Sequence, residues 1–144
     1  MSVVTNVMVL AFAEDDAFAR LAAEDPSRRW DGTLRSVTTG EVGRLWVQNG
    51  KAPECSVSVG AFNHFDRNAF LAEIETLPWR DAHQVQVLIR GEDDVCFGVW
   101  MFEGQRLVEL RLPGTERRPN STFVRPPGEA PGFEIETGTL VWLD

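Results

Sequence analysis

Apolar positions along the first part of the chain repeat with two periods, one typical of strands and one typical of helices. Residues 3–12 form a nearly continuous apolar run with several β-branched members, which is typical of a strand buried on both faces. Phe18, Leu21 and Ala22 follow at helical spacing, and Pro26 ends that pattern. This region therefore predicts a strand that leads into a helix.

A second unit of the same kind lies in the middle of the chain. Residues 55–62 alternate between apolar and small polar side chains, which predicts a strand. A helical apolar pattern covers residues 70–77 and ends at Pro78. Residues 34–39 and 44–48 predict two short strands between the two units.

The clearest alternation follows the second helix. Residues 85–89, 95–101 and 108–112 each alternate apolar and polar side chains, and acidic or glycine-containing turns separate them. These three segments predict an antiparallel meander. Residues 133–135 and 140–142 predict a final hairpin or edge strands, and we expect this apolar tail to dock onto the body.

The order of these elements predicts one α+β domain over residues 1–144. We expect a ferredoxin-like βαββαβ core, with an antiparallel meander extended by extra C-terminal strands. Residues 113–132 hold five of the eight prolines and predict an irregular Pro/Gly-rich surface segment. In this plan, we expect the strands at 3–12 and 55–62 to be parallel neighbours whose C-terminal ends open at one edge.

That arrangement would bring two acidic strand-to-helix joints together. Asp15 and Asp16 would then lie near His64 and Asp66. Carboxylates and an imidazole can hold a divalent metal, which is Mg²⁺ if oxygen ligands dominate and a softer ion if His64 takes part. A metal-dependent enzyme or metal-binding module is therefore one alternative.

Local structure offers a competing interpretation of the second joint, and we favour it. Asp66 stands where a helix N-cap accepts an N–H from the first turn. Phe65 before it and Phe70 four residues after it fit the hydrophobic-staple positions. This local structure accounts for Phe65, Asp66 and Phe70 without a metal site or a catalytic site.

A candidate partner-binding surface lies in the meander. Trp100 and Phe102 fall on the opposite side of their strand from its other alternating apolar residues, so the strand is apolar on both faces. Helices or the Pro/Gly-rich segment cover the second face, or the two aromatic residues are exposed anchors for a partner. Glu92, Asp93 and Asp94 form an acidic turn before this strand, which we expect at the opposite sheet edge from residues 14–16.

The charge of the chain narrows the classes of partner. A formal net charge of −8 and a pI near 4.8 disfavour nucleic acid and anionic membrane surfaces, and they suit solubility or a basic protein partner. No basic leader or long apolar span is visible, so we expect a cytoplasmic protein with reduced thiols at Cys55 and Cys96. No phosphate-loop, nucleophile-elbow or zinc motif is recognisable, so no cofactor is predicted.

Two stretches, AFNHFDRNAFLAEIETLPW at 61–79 and QVQVLIRGEDD at 84–94, resemble small uncharacterised bacterial and phage α/β proteins, and the resemblance brings no activity with it. The sequence therefore favours a non-enzymatic protein-binding module, such as an immunity or inhibitor protein that acts on a basic partner. The alternatives are the metal-dependent protein and a structural or assembly subunit that forms homo-oligomers.

Overall fold

The computed structural model describes residues 4–30, 32–48 and 50–114, together with the backbone of four short strands between residues 116 and 142. The elements are, in chain order, β1 (Val4–Ala11), α1 (Asp15–Ala22), β2 (Arg35–Ser36), α2 (Gly40–Gln48), β3 (Ser56–Asn63), α3 (Arg67–Thr76), a 3-10 helix (Ala82–Gln84), β4 (Gln86–Gly91), β5 (Gly98–Glu103), β6 (Arg106–Leu110), β7 (Glu116–Arg118), β8 (Ser121–Val124), β9 (Phe133–Glu136) and β10 (Thr139–Trp142). The α+β class is confirmed.

Six strands form one antiparallel sheet in the order β2-β3-β1-β4-β5-β6. The predicted meander is confirmed as β4, β5 and β6, which are consecutive in the chain and adjacent in the sheet. The ferredoxin-like core is not confirmed, because α2 stands between β2 and β3 where that plan has a direct connection. None of the helices in the described ranges has the length and apolar character that crossing a membrane requires.

The strand predicted at 44–48 is wrong, since these residues belong to α2. Val42, Leu45 and Trp46 recur at helical spacing, and a short apolar run does not by itself distinguish a strand from a helix.

The C-terminal segments are described in part. β9 and β10 pair as an antiparallel hairpin, as predicted, and β7 pairs with β8 inside the segment expected to be irregular. Residues 119–120 and 125–132 lie outside the described residues, and so does the docking of the tail onto the body.

The direction of β3 decides where the two strand-to-helix joints lie. β1 and β3 are neighbours, as expected, but they run antiparallel, with Val4 opposite Asn63 and Ala11 opposite Ser56. The predicted parallel arrangement is therefore wrong. The joint after β1 and the joint after β3 open at opposite ends of the sheet.

One face of the sheet carries α1, α3 and the core. Side chains of β1 alternate between buried and half-buried, so the expectation of a strand fully buried on both faces is wrong. α1 buries Ala17 and Leu21 on this face, and α3 buries Phe70 and Ile74. The buried hydrophobic residues are Val7, Val9, Ala11, Ala17, Leu21, Trp30, Leu34, Phe70, Ile74, Leu77, Val85, Val87, Ile89 and Trp100.

The opposite face of the sheet is also apolar. Cross-strand partners share a face, and Met8 pairs with Val59 and Leu88, which in turn pairs with Val99. All four side chains are half-buried. The apolar side of β3 thus lies away from the helices, while its serines and glycine lie beneath them.

An aromatic cluster fills one end of the core. The ring of Trp30 lies 5.5 Å from that of Phe62, 6.0 Å from that of Phe65 and 4.9 Å from that of Phe70, centroid to centroid. Trp30 is 1% exposed. All three phenylalanines of residues 61–70 therefore serve packing, and the sequence pattern did not reveal their common partner.

Candidate binding site at the acidic end of the sheet

The joint between β3 and α3 has the predicted cap. Asp66 accepts a hydrogen bond from the backbone N–H of Ala69 at 3.0 Å, and the rings of Phe65 and Phe70 are 5.2 Å apart. The N-cap and the hydrophobic staple are both confirmed. His64 precedes them, exposed and with φ of 51°, a conformation that a non-glycine residue adopts at some cost.

The turn between β4 and β5 closes on itself. The Asp94 N–H donates to the Gly91 carbonyl at 3.0 Å, and the Gly91 N–H donates to Asp94 Oδ2 at 2.9 Å. Glu92 and Asp93, which lie between them, are exposed. The turn thus presents two carboxylates to solvent and holds a third against its own backbone.

β1 joins the two acidic segments at one end of the sheet. Thr5 is the cross-strand partner of Phe62 on one side and of Gly91 on the other. A cleft of about 310 Å³ opens there, lined by Thr5, Phe65, Asp66, Arg67, Asn68, Ile89, Gly91 and Asp94. We call this region, with the carboxylates of Asp66, Glu92, Asp93 and Asp94, the acidic end.

The expected aromatic anchors lie elsewhere. Trp100 is 6% exposed, because it pairs with the buried Val87 on the helix-covered face of the sheet. The Arg67 guanidinium lies 5.7 Å from the Trp100 ring centroid, within cation–π range. Phe102 is partly buried against the same core. Trp100 is therefore covered on this face, while Phe102 stays partly exposed.

Glu14, Asp15 and Asp16 lie at the other end of the sheet, and Glu14 has a structural role there. Glu14 is 1% exposed, and its carboxylate accepts the backbone N–H of Arg80 at 2.7 Å and that of Asp81 at 2.8 Å. The side chains of Asp15 and Asp16 are exposed. Nothing in the sequence separated Glu14 from its two exposed neighbours.

Gln84 adds two hydrogen bonds at the same end of the sheet as Glu14. Its amide accepts the Phe12 N–H at 2.9 Å and donates to the Phe12 carbonyl at 2.7 Å. His83 pairs with Asp81 nearby, so the two histidines occupy opposite ends of the sheet. Glu14 and Gln84 thus connect the segment after β1 to the segment before β4.

The four candidate metal ligands are not brought together. Asp15 and Asp16 lie at the Glu14 end, while His64 and Asp66 lie at the acidic end. In the described part of the chain, no group of three His, Cys, Asp or Glu side chains is placed to hold a metal ion. Cys55 and Cys96 form no disulfide. The geometric basis of the metal alternative is therefore lost.

α2 exposes apolar side chains, three of which lie in the segment 44–48 that was predicted as a strand. Val42 is 41% exposed, Leu45 57%, Trp46 45% and Val47 64%. The Trp46 indole N–H donates to the Val37 carbonyl at 3.0 Å, which fixes the orientation of a ring that solvent still reaches.

Comparison with protein-family models, with curated proteins and with solved structures finds no match to this chain.

Proposed function

We propose that this protein is a non-enzymatic protein-binding module, of the immunity or inhibitor kind, that holds a basic partner at the acidic end. One observation carries the proposal. Two segments that are distant in sequence, the Asp66 cap and the turn with Glu92 and Asp93, present their carboxylates at the same end of the sheet.

Charge supports this choice of partner. The formal net charge is −8, so a basic protein is attracted over a distance limited by salt screening. Exposed carboxylates each contribute little to affinity, but a convergent set raises the association rate and fixes the orientation of the partner. The acidic end offers such a set beside a cleft.

The experiment compares two double variants of equal charge. Glu92→Gln with Asp93→Asn removes two charges at the acidic end, and Asp15→Asn with Asp16→Asn removes two at the opposite end. A basic protein retained from an extract of the source cells on the immobilised wild type is purified and titrated against all three proteins. We expect the acidic-end variant to bind about tenfold more weakly, and the control variant to match the wild type.

Equal weakening by both variants would show attraction to net charge alone and would contradict a specific site. An affinity that does not change between about 0.05 and 0.5 M salt would also count against an acidic interface, because screening weakens exposed charge pairs.

A second candidate function, an assembly subunit, is favoured by the apolar surface of α2. Apolar side chains such as Leu45 and Val47, more than half exposed, suit contact with a second copy of the chain. Sedimentation of the wild type and of Leu45→Ser tests it. A concentration-dependent dimer that the substitution abolishes is expected, and a wild-type monomer at high concentration removes this candidate.

A further inference from the structure

Thr5 is a nearly buried polar residue that lines the acidic-end cleft. The residue is 9% exposed and lies on the helix-covered face of β1 with Val7 and Val9. Within the described residues, its hydroxyl has no hydrogen-bond partner. Buried hydroxyls in native proteins nearly always have a hydrogen-bond partner, either protein or water, so one that lines a cleft is a place where a ligand can replace solvent.

The surroundings of Thr5 define what that partner is. Asp66 and Asp94 line the cleft with carboxylates, and Phe65 and Ile89 line it with apolar surface. Carboxylate oxygens and apolar side chains thus lie side by side in the cleft.

Positive charge also lies near the cleft, but it is smaller than the negative charge of the carboxylates. Arg67 lines the cleft too, so two carboxylates and one guanidinium leave one net negative charge. The start of α3 adds about half a positive charge. Glu92 and Asp93, in the turn that follows Gly91, add two negative charges outside the cleft. The potential at the cleft therefore favours a cation.

We infer that this cleft binds a cationic side chain, an ammonium or guanidinium group on an aliphatic stem, which the basic partner presents. The inference rests on the proposed function. The charged head donates hydrogen bonds to the carboxylates and to the Thr5 hydroxyl. The stem packs against Phe65 and Ile89, as the long cationic side chains do elsewhere.

Other ligands fit the same walls less well. An ammonium or guanidinium group carries only donors, which matches a set of acceptors. An anion would face two carboxylates. A divalent metal would find two carboxylates where hard cations take six or more oxygen ligands.

The first test uses fragments of the two cationic side chains. The ¹⁵N-labelled protein is titrated with n-butylammonium chloride and with n-propylguanidinium chloride, against n-butanol and NaCl at matched concentration. We expect saturable amide shifts at Thr5, Asn68 and Gly91, with a dissociation constant of about 1–10 mM for the better fragment. Shifts that NaCl or n-butanol reproduces, or that map elsewhere, would overturn the inference.

Conservative variants locate the contacts. Asp66→Asn keeps a good N-cap residue, and Asp94→Asn keeps an oxygen for the Gly91 N–H, so both should fold. Each is expected to bind the fragment about tenfold more weakly, since a charged hydrogen bond is lost. Thr5→Val should weaken binding about threefold without lowering Tm.

One variant should improve binding, which a merely structural effect would not produce. Arg67→Gln removes the opposing charge, and we expect affinity for the fragment to rise about threefold. Asp15→Asn with Asp16→Asn, at the other end of the sheet, serves as the control. If all cleft variants bind as the wild type does, the inference is wrong.

The two proposals fail separately. Fragment binding at the cleft without a retained basic protein would leave the cleft assignment standing and remove the partner. Loss of partner binding in the Glu92 and Asp93 variant, with Thr5→Val and Asp66→Asn unchanged for both partner and fragment, would leave the partner and remove the cleft.

Discussion

Arg28 and Glu73 are joined by a two-bond ion pair that ties the segment after α1 to helix α3. Arg28 Nε lies 3.1 Å from Glu73 Oε1, and Arg28 Nη2 lies 2.9 Å from Glu73 Oε2. Trp30 Nε1 also donates to Glu73 Oε1, at 3.2 Å. The Arg28 side chain is 3% exposed and that of Glu73 is 22% exposed.

Every donor of Arg28 has an acceptor. Its remaining N–H groups donate to the carbonyls of Ala23, Gly32 and Arg20 at 2.9–3.0 Å. The guanidinium carbon lies 4.3 Å from the Trp30 ring centroid. Such a buried cation is tolerated because its charge and all of its donors are compensated.

We therefore expect substitution of either partner to destabilise the fold. Glu73→Ala leaves a buried cation without its anion, and Arg28→Lys has too few donors to replace the planar fork. Each should lower the free energy of unfolding by about 3 kcal/mol, measured by urea denaturation. Arg106→Ala, which removes an 83% exposed partner of Glu75, is the control and should cost about 0.5 kcal/mol or less.

Gly32 cannot carry a side chain. It has φ of +123°, and an added Cβ would lie 2.3 Å from Phe62 Cε1, in the aromatic cluster. Gly50 has a similar φ of +139° but open space around it, so the pair separates backbone strain from collision. We expect Gly32→Ala to cost about 2 kcal/mol more than Gly50→Ala in urea denaturation. Equal costs would show that strain alone matters.

The Asp66 cap can be tested apart from binding. Asp66→Ala removes the acceptor of the Ala69 N–H, and we expect a loss of about 1 kcal/mol in the free energy of unfolding. Asp66→Asn should lose no more than a few tenths of that, because Asn caps almost equally well. Equal losses in thermal unfolding would contradict the cap.

We expect Glu14 to stabilise the fold. In Glu14→Gln only one oxygen remains to accept from Arg80 and Asp81, so one backbone N–H loses its charged acceptor. We expect a loss of about 1–3 kcal/mol in the free energy of unfolding, against less than about 0.5 for exposed Asp16→Asn. A rise in wild-type Tm with Mg²⁺, absent in Glu14→Gln, would instead indicate a metal ligand.

The carboxyl of Asp25 should titrate at lower pH than an ordinary aspartate. The Ser27 hydroxyl and then the Ser27 N–H donate to Asp25 Oδ1 and lower its pKa. A pKa depressed in the folded state contributes stability above the unfolded pKa, and this is lost as pH falls through the folded value, below about pH 4. In Ser27→Ala we expect the Asp25 pKa, measured by ¹³C NMR, to rise towards its usual range. No rise would contradict the assignment.

Features that depend on a few consecutive residues could be predicted. The Asp66 cap and the staple of Phe65 and Phe70 lie within five positions, so the chain alone brings their atoms together. The meander could also be predicted, because the alternation of side chains and the turn residues both act over a few consecutive positions. α2 could not be predicted, since its short apolar run fits both the strand period and the helix period. Its large apolar side chains are exposed, so no buried apolar face favours the helix.

Contacts between distant segments were decided by the tertiary structure. The antiparallel register of β1 and β3 put the Glu14 joint at one end of the sheet and the Asp66 joint at the other, beside the turn of residues 91–94. Glu14 and Arg28 are buried in hydrogen-bond networks that stabilise the fold, and Thr5 lines a cleft. The sequence determined most of the elements, the Asp66 cap and the acidic character of the chain. Which carboxylates converge depends on strand direction, and that is set by packing across the whole sheet.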